Sequence, residues 1–305
     1  MYKVFIDGSA GTTGLKIFDR LSKRSDIELI ILPDEQRKDI SAREKAINSA
    51  DVVFLCLPDQ AAIEAVSLVK NDRVKIIDTS TAHRTNPEWT YGFAELGFKE
   101  KIASSKFIAN PGCHASGFVA LIKPLIEKGI LSKDIKLTCF SLTGYTGGGK
   151  KMIEEYENND RAAVLDAPRQ YALAQNHKHL PEMAKIAGLS NLPVFCPIVS
   201  DYACGMEVTV PLFANDINGT MEDIKKIFKE YYTGKVVRYC EESENGFLSA
   251  NALGGKDGMQ ISVFGNADRI LLVARFDNLG KGASGAAIQN MNILLGVDET
   301  LGLDL

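Results

Sequence analysis

The first third of the chain alternates short apolar runs with amphipathic segments. The run "KVFIDG" is rich in β-forming residues and stops at Gly8, and "TGLKIFDRLSKR" then carries apolar residues at the spacing of one helical face. Three further apolar runs are followed by polar or turn residues, at residues 27–32, 51–58 and 75–80. Such runs are typical of parallel strands buried on both faces, and residues 41–50 and 59–69 suit crossover helices. The pattern predicts an α/β domain with an open parallel sheet and helices on both faces.

The pattern changes after residue 113. The segment "FVALIKPLIEKG" is helical in period, and Pro124 is expected to kink or divide that helix. Several alternating apolar segments follow, separated by Asn, Asp and Gly, at residues 135–145, 202–213, 235–241, 259–265 and 269–276. They predict a second, α+β domain with a mixed or antiparallel sheet. The last segment, residues 282–297, is helical in period and is expected to pack back on the first domain.

Length and composition indicate a folded protein of enzyme size. A chain of 305 residues favours two domains, which we place at residues 1–113 with 282–305, and at residues 114–281. The net charge of −4 argues against a nucleic-acid partner, and no Lys/Arg cluster lies next to aromatic residues. No apolar run has membrane-spanning length, and the first residues do not resemble a signal peptide. Six scattered cysteines indicate reduced thiols, so we expect a cytoplasmic protein without a membrane partner.

Three glycines, Gly8, Gly11 and Gly14, follow the first predicted strand and open the first predicted helix. A helix start offers free N–H groups and a positive dipole end to a pyrophosphate, and glycine lets the backbone approach it. The spacing G-x-x-G-x-x-G, with Thr12 inside it, differs from the usual G-x-G-x-x-G. The context favours dinucleotide binding over a simple tight turn.

The end of the second predicted strand, "PDEQRKD", bears on the choice of dinucleotide. Asp34 could bind the ribose of NAD, whereas Arg37 and Lys38 could meet the 2′-phosphate of NADP. We favour NADP; the alternative is that these charges form a solvated loop.

Cys113 is the candidate nucleophile. It follows an Asn-Pro-Gly turn and precedes a helical segment, where the N–H groups of the helix start stabilise a thiolate. The alternative is a structural thiol at a domain boundary. The segment "QNHKHLPEM" offers a base and its orienter in His177 and His179, with Glu182 in the first turn of a helix. No compact set of four ligands accompanies these histidines, so we expect no metal.

Two other loops carry groups that suit an anionic ligand. "TGYTGGGKK", which includes Gly148, can bring backbone N–H groups to an anion, although it could equally be a surface hairpin loop. "DTSTAHRT" ends a predicted strand and offers Ser80 and Arg84 where open α/β sheets bind ligands. The guanidinium of Arg84 could hold a carboxylate or phosphate.

Together these motifs resemble the N-acetyl-γ-glutamyl-phosphate reductases, specifically the shorter of their two types. "GSAGTTG", "DTSTAHRT", "NPGCHASGF", "TGYTGGGK", "NHKHLPEM" and "DNLGKGASGAAIQNMN" occur in the family's order and span nearly the whole chain. The resemblance implies the semialdehyde dehydrogenase architecture, a Rossmann-type NADP-binding domain and an α+β substrate and oligomerisation domain. It places the nucleophile on Cys113, acid–base work and substrate contact on His177, His179 and Glu182, and further cofactor contacts on Asn278 and Lys281.

The implied reaction is the NADPH-dependent reductive dephosphorylation of N-acetyl-γ-glutamyl phosphate through a cysteine thioester, in arginine biosynthesis. The implied assembly is a homo-oligomer, a dimer or a tetramer, and a protonated histidine would assist release of the aldehyde. Two alternatives remain at this point. A sister enzyme would act on aspartyl or aminoadipyl phosphate, and a non-catalytic sensor would bind NADP through the same glycine loop.

Overall fold

The computed structural model describes every residue from Met1 to Leu305 and divides into two compact units. Unit 1 comprises Met1–Pro111 and Ala283–Leu303, and unit 2 comprises Gly112–Gly282 and Asp304–Leu305. The sequence-based division assigned Cys113 to the first domain, whereas here it lies at the start of unit 2. None of the helices combines the length and apolar character needed to cross a bilayer.

Unit 1 is built on a six-stranded sheet in which every pairing is parallel, in the order β2-β1-β3-β4-β6-β5. The strands are β1 Tyr2–Asp7, β2 Ile27–Ile30, β3 Val52–Leu55, β4 Lys75–Asp78, β5 Thr90–Tyr91 and β6 Phe107–Ala109. The helices before the crossing to unit 2 are α1 Thr12–Leu21, α2 Ile40–Ser49, α3 Asp59–Ser67 and α4 Lys99–Ser104. The predicted parallel sheet is confirmed, but β5, β6 and α4 had not been predicted.

The central strands of unit 1 are covered on both faces. All four residues of β3 are fully buried. Val52 and Phe54 belong to one apolar cluster, and Val53 and Leu55 belong to another. A strand buried on both faces gains apolar burial at each residue, which explains its continuous apolar run.

Unit 2 contains a seven-stranded mixed sheet in the order β11-β12-β13-β10-β7-β9-β8. Its strands are β7 Thr138–Gly144, β8 Arg169–Gln170, β9 Val194–Ser200, β10 Met206–Phe213, β11 Val237–Tyr239, β12 Met259–Gly265 and β13 Arg269–Phe276. The β7–β9 and β11–β12 pairs are parallel and the others are antiparallel. Its helices are α5 Cys113–Glu127, α6 Lys150–Glu157, α7 Leu180–Ala187 and α8 Met221–Tyr231. The prediction of a mixed sheet is confirmed, although β8 and β9 had not been predicted.

Helix α5 continues through Pro124, so the helix is not divided there; a kink stays a prediction. Proline lacks the N–H that would bond to the carbonyl four residues earlier, which belongs to Ala120. The Tyr232 hydroxyl donates to that carbonyl at 2.5 Å. The acceptor left by the proline is therefore satisfied from outside the helix, and α5 can run its full length.

The last helix, α9 Gly285–Leu295, belongs to unit 1. Its Ile288 and Met291 are fully buried in the same apolar cluster as Val4 and Ile6 of β1. The end of the chain thus packs within unit 1.

Candidate active site

Cys113 is the first residue of α5 and is partly exposed. The helix N-cap is Gly112, which has no side chain to cap the first turn, so N–H groups of that turn are available to an anion. Cys56 and Cys139 differ, because desolvation raises the pKa of both thiols, that of Cys56 to about 12. Among these three cysteines, only Cys113 occupies a position that favours a thiolate.

Contacts from three directions fix the start of α5. The Glu182 carboxylate, 1 % exposed, accepts a hydrogen bond from the Gly112 N–H at 2.8 Å. The Ser116 hydroxyl donates to the Gly112 carbonyl at 3.0 Å. A Cβ at Gly282 would lie only 3.0 Å from the Cβ of Cys113, so the chain at Gly282 packs directly on Cys113. Glu182 thus orients the helix start, a role the sequence did not indicate.

His114, the neighbour of Cys113 in sequence, has both ring nitrogens in hydrogen bonds. Nδ1 lies 2.7 Å from the Ser141 hydroxyl and Nε2 lies 2.6 Å from the Tyr171 hydroxyl. Burial, reinforced by His177, lowers the pKa of His114 to about 3. The imidazole is therefore neutral at physiological pH and is a structural group of the site rather than its acid or base.

His177 and His179 lie together beside His114. The ring centroids of the pair are 4.7 Å apart, and each lies 5.6 Å from the His114 centroid. Burial, assisted by the charge of Lys178, lowers the pKa of His177 to about 4. Because a lowered pKa leaves the ring neutral at pH 7, the His177 imidazole is unprotonated in the free protein and can accept a proton.

The loop that carries the histidines is fastened to β9 by Gln175. Its side-chain amide donates to the Phe195 carbonyl at 2.7 Å and accepts from the Phe195 N–H at 2.8 Å. The Phe195 ring lies against both His114 and His177, at centroid distances of 5.3 and 5.2 Å. Gln175, Tyr171 and Ser141 escaped the sequence analysis because no local pattern distinguishes them from other polar residues.

The glycine loop of unit 1 is closely packed. Gly8 has φ = +90°, and a Cβ there would lie 2.3 Å from the Cys56 carbonyl oxygen. A Cβ at Gly14 would lie 2.4 Å from the Gly8 carbonyl oxygen. Gly11 is the N-cap of α1 and Thr12 is its first residue, with no side chain capping the helix. The loop can therefore offer backbone N–H groups to a phosphate, which is the fit that a dinucleotide requires.

A cavity of about 210 Å³ adjoins this loop and is lined by Gly8, Ser9, Arg37 and Lys38 among others. The Arg37 guanidinium lies 2.8 Å from the Asp34 carboxylate. The two cations therefore lie beside the glycine loop, as a 2′-phosphate site requires, while Asp34 is engaged with Arg37.

Ser80 and Arg84 are buried in the loop after β4. The Ser80 hydroxyl donates to Asp78 at 2.7 Å. The Arg84 guanidinium donates to the carbonyls of Thr79 and Asn110, at 2.9 and 3.0 Å. Both side chains thus hold the carboxyl end of β4 together, and their direct contact with substrate stays a prediction.

The other predicted cofactor residues lie in unit 2. The Asn278 side chain accepts from the Gly205 N–H at 2.9 Å and donates to the Thr146 hydroxyl at 3.0 Å. It thereby holds the 3₁₀ turn Tyr145–Gly148, which leads into α6. Lys281 is 1 % exposed and lies in the π-helical turn Gly280–Ser284.

Comparison with known proteins places this chain in a family. Residues 3–105 match the NAD binding domain of semialdehyde dehydrogenases, and residues 113–278 match the semialdehyde dehydrogenase dimerisation domain. Aspartate semialdehyde dehydrogenase II from Vibrio cholerae has the same fold, with a TM-score of 0.71 at 16 % identity, over 97 % of this chain and 98 % of that one. The enzyme from Candida albicans, solved with NADP, gives 0.67 at 18 % identity over 97 % and 98 %. The chain belongs to the semialdehyde dehydrogenase family.

Two curated relatives indicate which enzymes of this family the chain is similar to in sequence. N-acetyl-γ-glutamyl-phosphate reductase 2 from Nostoc sp. is 46 % identical over 99 % of both chains. The N-acetyl-γ-glutamyl-phosphate reductase of Brucella ovis is 44 % identical over 96 % of this chain and 99 % of its own. The resemblance drawn from the motifs is confirmed.

Proposed function

We propose that the protein catalyses the NADPH-dependent reductive dephosphorylation of N-acetyl-γ-glutamyl phosphate to N-acetylglutamate semialdehyde, in cytoplasmic arginine biosynthesis. The observation that carries the proposal is the placement of Cys113 as the first residue of α5, with Glu182 bonded to its N-cap. The relatives that share nearly the full chain bear the name of this reaction.

The chemistry begins with a covalent bond from Cys113. Its thiolate attacks the acyl carbon, and the bond from that carbon to the phosphate oxygen breaks to give a thioester. His177 or His179 accepts the thiol proton and passes it to the departing phosphate, because a neutral imidazole is a competent base. N–H groups at the start of α5 stabilise the oxyanion at each stage.

The cofactor supplies a hydride when it is bound. Cys113 holds the carbonyl carbon in place for reduction, after which the carbon–sulfur bond breaks and the aldehyde leaves. The thiolate is thereby restored. The proposed cofactor residues are Gly8, Gly11, Thr12, Gly14, Arg37, Gly148, Asn278 and Lys281; Ser80 and Arg84 are proposed for the substrate.

The experiment that tests this function compares acyl phosphates. Purified protein is assayed with the acetylglutamyl, aspartyl and aminoadipyl phosphates, and the acyl-enzyme is trapped and mapped by mass spectrometry. We expect turnover with the acetylglutamyl compound and an acyl group on the peptide containing Cys113. Preference for another acyl phosphate would identify a sister enzyme. Binding of NADPH with no acylation would identify a sensor instead.

Arg37 and Lys38 are expected to determine the preference for NADPH. The double variant Arg37→Ala, Lys38→Ala removes both cations of the cavity and is expected to lower kcat/KM for NADPH about tenfold or more, since a charge-assisted bond to phosphate is lost. The value for NADH, which has no 2′-phosphate, is expected to stay within a factor of about two. Arg73→Ala, at an exposed arginine of the same unit, is the control. Equal losses with both cofactors would contradict this assignment.

The sheet of unit 2 carries an exposed apolar face. Phe140, Val194, Phe213 and Leu271 are 41, 53, 64 and 42 % exposed. The strand register puts these side chains on one face. Phe140 pairs with Thr209, and Leu271 pairs with Pro211 two residues further along β10, with Phe213 two residues further still. Val194 pairs with Thr138, which is two residues before Phe140 on β7. Such a face is typical of a protein–protein interface. We propose that it joins two copies of the chain, as a dimer or as part of a tetramer, in keeping with the match to a dimerisation domain.

Phe140→Glu is expected to dissociate the oligomer, because two charges would be buried across a self-complementary interface. Sedimentation velocity would show monomer at micromolar concentration, where the wild type sediments as an oligomer. Ile63→Glu, at an exposed apolar residue of α3 in unit 1, is expected to leave the assembly intact. An unchanged sedimentation coefficient for Phe140→Glu would exclude this face.

A further inference from the structure

Tyr171 lies in the group of rings beside the nucleophile, yet the mechanism above does not use it. Its ring centroid is 6.1 Å from that of His114 and 6.0 Å from that of His177. Its hydroxyl forms a hydrogen bond with Nε2 of His114 at 2.6 Å. The direction of that bond decides what the phenol can do.

The position of the His114 proton follows from Ser141. Ser141 is fully buried, and its hydroxyl bonds to Nδ1 of His114. A buried hydroxyl hydrogen needs an acceptor, and Nδ1 is the acceptor at hand, so Ser141 donates. A neutral imidazole has one N–H, which must then be at Nε2 and must donate to the Tyr171 oxygen. The hydrogen-bond pattern therefore leaves the Tyr171 hydrogen to another acceptor.

The backbone holds Tyr171 in one place. Its N–H donates to the Pro197 carbonyl at 3.0 Å, which continues the pairing of β8 with β9. The turn that follows contains two non-glycine residues with positive φ, Ala172 at 52° and Gln175 at 55°. Such conformations persist where surrounding contacts fix them, and here the Gln175 amide bonds twice to Phe195. The phenol is therefore positioned before any ligand arrives.

Cys113 is close enough to this hydroxyl for its negative charge to act on the phenol. His114 follows Cys113 directly in the first turn of α5. Burial, together with the negative charge of Cys113, raises the pKa of Tyr171 well above its usual range. The phenol thus keeps its proton at physiological pH, and it remains a donor.

We propose that Tyr171 is a further residue of the active site, whose hydroxyl hydrogen, directed by the Ser141–His114 pair, is donated to the sulfur of Cys113 and to the substrate oxygen that becomes negative there. Donation to the substrate oxygen rests on the proposed function. Donation to the sulfur does not, because it concerns the free thiolate of Cys113. The role is a preorganised hydrogen bond, which stabilises the anion without reorganisation.

The test is the rate of Cys113 alkylation by iodoacetamide as a function of pH, which requires no substrate. Tyr171→Phe is expected to slow alkylation of Cys113 about tenfold at pH 7 and to move the midpoint of the profile to higher pH, since a thiolate loses a donor. The kcat for the acyl phosphate is expected to fall by about tenfold or more, with KM for NADPH unchanged. His114, His177, His179 and Glu182, the other titratable groups around Cys113, are retained in each variant.

Two further variants complete the test. Tyr156, a buried residue of the same unit, has a hydroxyl without a hydrogen-bond partner. The alkylation profile of Tyr156→Phe is expected to match that of the wild type. Ser141→Ala frees Nδ1 to carry the proton, so Tyr171 would donate to Nε2 and be withdrawn from Cys113. The alkylation profile of Ser141→Ala is therefore expected to shift in the same direction as that of Tyr171→Phe.

A wild-type alkylation profile in Tyr171→Phe, with its thermal unfolding unchanged, would overturn the proposal. So would a shift in Tyr156→Phe as large as that in Tyr171→Phe, because the effect would then reflect general packing. If Tyr171→Phe folds poorly, Ser141→Ala decides in the same way. A shifted profile in a protein that turns over none of the acyl phosphates would support Tyr171 and reject the proposed function.

Discussion

Replacing Cys113 with serine is expected to lower turnover by at least about 10³-fold while leaving NADPH affinity within a factor of about two. A serine hydroxyl at the start of α5 stays protonated at pH 7, so no nucleophile forms, although the substitution changes a single atom. Gly8 and the other glycine-loop residues belong to unit 1, whereas Cys113 belongs to unit 2. Consumption of NADPH with the acyl phosphate measures turnover, and quenching or enhancement of cofactor fluorescence measures affinity.

Cys240→Ser is the matched control for this experiment. Cys240 is also a partly exposed thiol of unit 2, but it follows the strand β11 rather than opening a helix. We expect wild-type turnover in that variant. Turnover by Cys113→Ser at a rate near that of the wild type would rule out the covalent route.

The second large effect is expected at Gly8, where alanine would prevent the glycine loop from forming. Gly8 has φ = +90°, and the added methyl group would lie 2.3 Å from the carbonyl oxygen of Cys56. Main-chain atoms at that distance cannot move apart without moving β1 or β3. We therefore expect NADPH affinity to fall about 100-fold or more and the melting temperature to fall by several degrees. Isothermal titration and thermal unfolding measure the two effects.

Gly97 separates the contribution of the contact from that of the backbone conformation. It has φ = +80° in the same unit, and a Cβ there would meet no atom within 4 Å. Gly97→Ala therefore carries only the conformational cost, about 1 kcal/mol, and is expected to bind NADPH normally. Normal binding by Gly8→Ala as well would remove the glycine loop from the cofactor site.

The elements that could be predicted from the sequence are those whose burial shows as a pattern of neighbouring residues. Strand β3 is covered on both faces, and its residues form one uninterrupted apolar run. Strand β5 has two residues and β6 has three, too few to show any period. The continuity of α5 could not be inferred either, because the group that compensates for Pro124 is 112 residues from Ala120 in sequence.

Residues of the candidate site likewise divide into those with a local sequence signal and those that are brought there by distant contacts. Cys113 could be located because a turn followed by a helix is a local signal. The contacts of His114 come from residues 27 and 57 positions away, so neither Ser141 nor Tyr171 had a signal near Cys113 in the sequence. Glu182 was singled out for its place beside the histidines, and the structure adds its bond to Gly112, 70 residues away. Tertiary contacts of this kind define the surroundings of a reactive group, and a single sequence does not contain them.

The bond from Tyr232 to Ala120 also restricts how this protein can evolve. Proline at position 124 is tolerated because the Tyr232 hydroxyl donates to the Ala120 carbonyl, which the proline leaves without a donor. Loss of the phenol alone would leave a buried carbonyl unsatisfied, whereas the same loss after Pro124 had become alanine would cost less, since the helix would supply its own donor. The two positions are therefore epistatic, and the order of mutations decides whether a lineage keeps a stable α5, the helix that begins at Cys113.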